Sequence, residues 1–198
     1  MTIFLNLVLL LAALALPGFA QAASNILVFG DSLSAGYGIA REASWPHLLQ
    51  QELHAHSVVN ASISGETTSG GVRRIDKALT EHRPAVVIVE LGANDGLRGT
   101  PLTETEKNLD TIIKRAKNAH AKVLLLGMQL PPNYGPVYTE QFRNIYSRLA
   151  NRHRIALLPF MLEGIPPDQF LPDNLHPNAA AQPRILRNVM PHLKPLLN

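Results

Sequence analysis

The sequence predicts an α/β fold, a single domain built as a three-layer sandwich with a five-stranded parallel sheet between two layers of helices. Three observations carry this prediction. Short apolar runs alternate along the chain with segments whose apolar residues recur at helical spacing. The short runs are nearly continuous in apolar residues rather than alternating, as in strands covered on both faces. The residues best suited to chemistry come after those runs, at the carboxyl edge where open parallel sheets place their sites.

Residues 1–22 stand apart from this pattern. Residues 3–16 are almost unbroken Leu, Ala, Val, Ile and Phe, Pro17-Gly18 ends the run, and Ala20-Gln21-Ala22 has the small-x-small form of a cleavage site. A signal peptide over 1–22 is expected, followed by the folded domain over 23–198. No Lys or Arg precedes the apolar run, which departs from the usual pattern. An uncleaved anchor is the rival reading, but the run is short for a span of about 20 residues. Without cysteine, neither a lipid anchor at the cleavage site nor a disulfide can form. The expected location is the periplasm or the cell exterior, with no stable membrane anchor.

Residues 26–29 (Ile-Leu-Val-Phe) read as the first strand. Ser44-Trp45-Pro46 opens a helix, with Ser44 as cap, Pro46 at an early position, and Trp45, Leu48, Leu49 and Leu53 at helical spacing. Val58-Val59 marks a short second strand. Gly70-Gly71 leads into a helix through Val72, Ile75 and Leu79, and residues 85–91 form a third strand broken only by Glu90. Thr103 and Glu106 have capping-box spacing. The helix they open shows one apolar face (Leu109, Ile112, Ile113, Ala116) and basic residues in its last turn, where the dipole favours them. Residues 123–126 are the fourth strand, 131–136 a stiff Pro-rich loop, 138–151 a helix and 156–158 the fifth strand. A final helix is expected from Pro177 onward.

At 198 residues, 46% of them hydrophobic, the chain suits one domain with a substantial core. A net charge of +3 with no long basic run gives no reason to expect a nucleic-acid partner. The Gly-rich stretch 30–38 lacks the G-x-G-x-x-G order, so no dinucleotide site is expected. His54-x-His56 lacks the companions a metal site needs. No metal and no cofactor are called for, and a monomer is the expected state.

Ser32 stands in Gly30-Asp31-Ser32-Leu33, just beyond the first strand, and Asp173-Asn174-Leu175-His176 lies near the end of the chain. A serine hydroxyl is a weak nucleophile that needs a base within hydrogen-bond reach. Histidine suits that task, and a carboxylate can orient it. In isolation Ser32 could simply cap a helix, Gly65 could be a loop glycine, and Asn94 and Asp95 turn residues. Asp31 reads as a structural hydrogen-bonding residue, and Arg73 and Arg74 as a solvated helix face. His47, His54, His56, His82, His120, His153 and His192 read as surface or helix-end residues.

Four blocks change that balance: Gly30-Asp31-Ser32-Leu33-Ser34; residues 60–67, Asn-Ala-Ser-Ile-Ser-Gly-Glu-Thr; Gly92-Ala93-Asn94-Asp95-Gly96; and Asp173-Asn174-Leu175-His176-Pro177. In this order they resemble the GDSL, or SGNH, hydrolases. The similarity covers the whole mature chain and is closest to the bacterial thioesterase I, protease I and lysophospholipase group with its arylesterase relatives. The resemblance implies the flavodoxin-like SGNH hydrolase fold and a serine esterase or thioesterase acting on acyl chains. It assigns Ser32 as nucleophile, His176 as base and Asp173 as its orienting acid. Ser32, Gly65 and Asn94 would form the oxyanion hole. Glycine suits position 65 because backbone must approach substrate closely, and asparagine suits 94 because it donates without charge. Position 34 is Ser, so the G-x-S-x-G elbow of α/β-hydrolases is absent.

The implied substrates are small-molecule acyl esters, thioesters or lysophospholipids. Leu97, Leu130, Tyr134, Phe160 and Met161 lie near strand ends and are candidates to line an acyl groove; ordinary core positions are the equal alternative. A carbohydrate acetylesterase with the same machinery is the second reading, and a non-catalytic binding module on a flavodoxin-like sheet the third.

Overall fold

The computed structural model describes residues 25–197; the expected signal peptide, residues 1–22, lies outside them. Five strands form one parallel sheet: β1 (Asn25–Gly30), β2 (Ser57–Asn60), β3 (Val86–Glu90), β4 (Lys122–Leu126) and β5 (Ala156–Leu158). Their order is β2-β1-β3-β4-β5, the doubly wound arrangement whose winding reverses between β1 and β3. Ile26 to Phe29 and Val87 to Val89 have no exposed surface, as continuous apolar runs in a sheet covered on both faces require.

Among the described residues, seven α-helices flank the strands: α1 (Ser32–Ala35), α2 (Trp45–Glu52), α3 (Thr68–His82), α4 (Ala93–Leu97), α5 (Leu102–Asn118), α6 (Pro136–His153) and α7 (Gln182–Leu193). Helices α3, α5 and α6 pack side by side in one layer, and α2 packs with α7 in the other. Leu109, Ile112, Ile113 and Ala116 of α5 are fully buried; each large aliphatic side chain removed from water stabilises the fold by about 1.5–3 kcal/mol. Across the other layer, the backbone N–H of buried Trp45 donates to Gln182 Oε1 at 3.0 Å, joining α2 to α7.

Several sequence expectations are corrected. Helix α5 starts at Leu102 with Pro101 as its cap, so Thr103 and Glu106 form no capping box. Proline fixes φ, and the helix starts two residues earlier than a cap at Thr103 would place it. Glu106 instead binds Arg148 and Arg152 of α6 at 2.6 and 3.0 Å. Ser44 is the cap residue of α2, but its hydroxyl donates to Arg41 O at 2.6 Å and not to the helix. The last helix begins at Gln182, because Pro177 is held in an antiparallel bridge with Phe170 and a 3-10 turn, Ala179–Ala181, follows. His153 ends α6 as expected but is buried against Asp110, with Nε2 2.7 Å from Oδ1.

Candidate active site

Each block of the motif lies beyond the carboxyl end of a strand. After β1 the chain turns directly into α1, with Asp31 as its cap: Asp31 Oδ1 accepts the Leu33 N–H at 3.0 Å. Ser32 is therefore the first helical residue, and 8% of it remains exposed.

His176 reaches this serine from the loop after β5. Its Nε2 lies 2.8 Å from Ser32 Oγ, and its Nδ1 lies 2.7 Å from Asp173 Oδ2. The other carboxylate oxygen of Asp173 accepts the backbone N–H groups of Leu175 and His176 at 2.9 and 3.0 Å. Partial burial works to raise the Asp173 pKa. The two backbone donors and the His176 ring outweigh it and hold the pKa down to about 2. An ionised Asp173 accepts only, so Nδ1 carries the proton and Nε2 faces the serine as an acceptor. The His176 carbonyl takes the Leu171 N–H at 2.7 Å, and the Tyr37 ring stands 4.5 Å from the imidazole, centroid to centroid.

Gly65 lies beyond β2 with φ +77°, a region that disfavours any side chain. Among the described residues, neither the Gly65 N–H nor the Ser32 N–H has a hydrogen-bond partner. Asn94 sits in α4 beyond β3. Its Nδ2 donates to Asp31 Oδ2 at 3.1 Å and to the Glu66 carbonyl at 3.0 Å, joining three of the four blocks. Asp95 is no turn residue: it is buried and accepts the N–H and hydroxyl of Thr68 at 2.8 and 2.6 Å, which fixes the start of α3 against α4.

Beneath Ser32 lie two buried carboxyl groups. Burial pushes the Asp31 pKa up to about 6, although the Leu33 N–H, Glu90, His176 and Asn94 all oppose the rise. Burial, reinforced by the charge of Asp31, pushes Glu90 well above the carboxylate range. Glu90 Oε2 accepts from the Asp31 N–H at 3.2 Å and the Ser34 hydroxyl at 2.8 Å. Its Oε1 has no hydrogen-bond partner among the described residues. Both shifts disfavour a doubly ionised pair and favour one that shares a proton. In the sequence Glu90 showed only as an interruption of an apolar strand.

A cavity of about 330 Å³ opens beside Ser32, Asn94 and His176. Leu97, Leu130 and Phe160 line it, together with Leu33, Met128, Leu162, Phe170 and Leu175, which the sequence did not single out. Leu33 could have been found, since it follows the serine directly. The other two expected groove residues lie elsewhere. Met161 is fully buried, its N–H bonded to Gly127 O at 3.0 Å. Tyr134 is outside the cavity wall, its hydroxyl donating to Leu97 O at 3.1 Å.

The sequence profile of the GDSL-like lipase/acylhydrolase family matches residues 28–183. The chain belongs to that family. Among relatives of this hydrolase, esterase TesA of Pseudomonas aeruginosa is 49% identical over 182 residues, 89% of this chain and 90% of that protein. The thioesterase 1/protease 1/lysophospholipase L1 of Escherichia coli K12 is 45% identical, covering 90% of this chain and 88% of its own length. An arylesterase of Vibrio mimicus is 43% identical, covering 90% and 92%. A crystal structure of TesA superposes with a TM-score of 0.85 at 47% identity, covering 87% of this chain and 99% of that one. A psychrotrophic esterase, EstA from Pseudoalteromonas sp., solved inhibited by monoethylphosphonate, gives 0.84 at 39%, covering 88% and 99%. The protein is thus an ester-hydrolysing enzyme of the SGNH type, acting on small-molecule esters.

Proposed function

We propose that this esterase cleaves acyl esters and thioesters through a Ser32–His176–Asp173 triad and an acyl-enzyme intermediate. The observation that carries the reading is the unbroken chain Ser32 Oγ–His176 Nε2 (2.8 Å) and His176 Nδ1–Asp173 Oδ2 (2.7 Å) at the mouth of an apolar cavity. Ser32 Oγ attacks the acyl carbon as Nε2 takes its proton, and Asp173 stabilises the imidazolium. The resulting oxyanion is met by the two unpartnered N–H groups of Ser32 and Gly65. Asn94 adds a third donor by sharing the amide hydrogen directed at Asp31, the longer of its two bonds. The imidazolium then protonates the departing alcohol or thiol. A water molecule, deprotonated by His176, attacks the acyl-enzyme, and collapse of the second tetrahedral intermediate returns the Ser32 hydroxyl and releases the acid.

The cavity favours an acyl tail over an acetyl group. Its volume of about 330 Å³ falls in the range of small-ligand pockets, and its walls are mainly Leu, Met and Phe. Lysophospholipids and other carboxylic esters suit a periplasmic or secreted enzyme, the location proposed from residues 1–22. Initial rates on p-nitrophenyl esters from acetate to dodecanoate test the substrate class. The expected result is a kcat/KM that rises beyond acetate to a medium-chain maximum; turnover confined to acetate would overturn the acyl-tail reading and favour an acetylesterase.

A further inference from the structure

Arg74 of α3 belongs to no motif block, and its sequence context suggests a solvated helix face. In the fold it is turned inward, with 20% of its side chain exposed. Nε pairs with Glu66 Oε2 at 2.6 Å, Nη1 donates to the Ala61 carbonyl at 2.7 Å, and Nη2 reaches the Gly30 carbonyl at 3.3 Å. The guanidinium lies 3.8 Å from the centroid of the Phe29 ring. One planar cation therefore grips the end of β1, the loop after β2 and the residue that follows Gly65. Gly70 leaves the space that the Glu66 carboxylate fills, since a Cβ there would collide with it.

We propose that Arg74 is a positioning residue that sets the geometry of the oxyanion site, an inference that rests on the roles assigned above to Ser32, Gly65 and Asn94. The three donors stand on mounts that Arg74 ties together. Gly30 lies two residues before Ser32. Glu66 follows Gly65 directly, and its carbonyl holds the Asn94 amide at 3.0 Å. Unpaired backbone donors aimed at a developing charge work only if fixed beforehand, and a misplacement of about 1 Å can cost about 10²-fold in rate. Lysine cannot substitute, because a single ammonium cannot span a carboxylate, two carbonyls and a ring at once.

The test compares Arg74→Lys, Arg74→Ala and Ser32→Ala in the mature enzyme, with kcat expressed per folded molecule by circular dichroism. Ser32→Ala must abolish turnover; if it does not, the proposed catalytic reading fails, whatever Arg74 does. With that control null, Arg74→Lys is expected to lower kcat by about 10–100-fold while KM changes less than about threefold, the signature of lost transition-state stabilisation. Millimolar guanidinium is expected to restore part of the Arg74→Ala rate, and ethylammonium at the same concentration is not. Unchanged kcat per folded molecule in Arg74→Lys, a rise in KM alone, or equal rescue by both cations would overturn the proposal.

Discussion

Replacing Glu90 probes the buried carboxyl pair beneath the nucleophile. Glu90 is fully buried and serves two donors, the Asp31 N–H and the Ser34 hydroxyl. Glu90→Ala leaves both without an acceptor, and each orphaned buried group costs about 1–3 kcal/mol. The sum is about 2–6 kcal/mol. For a domain of this size each kcal/mol lowers Tm by about 2–4 °C, so a fall of about 4–24 °C is expected. Glu90→Gln should behave otherwise. A neutral Glu90 accepts at Oε2, and the uncharged Gln amide offers the same acceptor oxygen to the Asp31 N–H and the Ser34 hydroxyl. Its cost should stay within about 1 kcal/mol, the scale of one hydrogen bond, and kcat should remain near that of the native enzyme. Urea unfolding at pH 7 with parallel thermal melts measures both variants. A Gln variant as damaged as the Ala variant would mean that Glu90 is ionised, and would refute the shared-proton reasoning.

Asp173→Asn should lower kcat on the order of 10³–10⁴-fold with little change in KM, since loss of the carboxylate releases the imidazole tautomer; steady-state rates on one ester suffice, and a loss below tenfold would remove Asp173 from the triad. The Asp31 pKa is raised from 3.8 to about 6 in the folded protein. The native state thus holds this proton more tightly, and the resulting stabilisation is full below about pH 4 and lost as pH rises through 6. The stability difference between the native protein and Asp31→Asn should shrink by about 2 kcal/mol from pH 4 to 7 in urea titrations, and a difference that grows would contradict the assignment. Leu97→Trp should shorten the cavity. Excluding two methylenes at about 0.8 kcal/mol each reduces kcat/KM for long esters by roughly tenfold and leaves the acetate ester unchanged; an equal loss on both would place Leu97 outside the acyl path.

Strands were legible because burial on both faces leaves a continuous apolar run that survives any tertiary detail; residues 26–29 and 86–89 show this best. Ser32, Asp173 and His176 were legible as residue types with a shared chemistry, and the fold brings them together. The supports were not. Helices α1 and α4, of four and five residues, are too short to show a period. A buried acid such as Glu90 looks like an error in a strand until its partners from the adjacent turn are in place. Arg74 reads as surface because its carbonyl partners, at the end of β1 and in the loop after β2, are not connected to α3 by sequence spacing. Phe160 and Met161 are neighbours in an irregular segment, where no periodicity tells the cavity side from the core side.

The claim beneath all of this is that Ser32 is the nucleophile and His176 its base. A fluorophosphonate probe, followed by intact mass and peptide mapping, reads this directly. One adduct per molecule on Ser32 is expected, abolished in Ser32→Ala and strongly slowed in His176→Ala. An adduct on another residue, or labelling of Ser32 at an undiminished rate without His176, would contradict it.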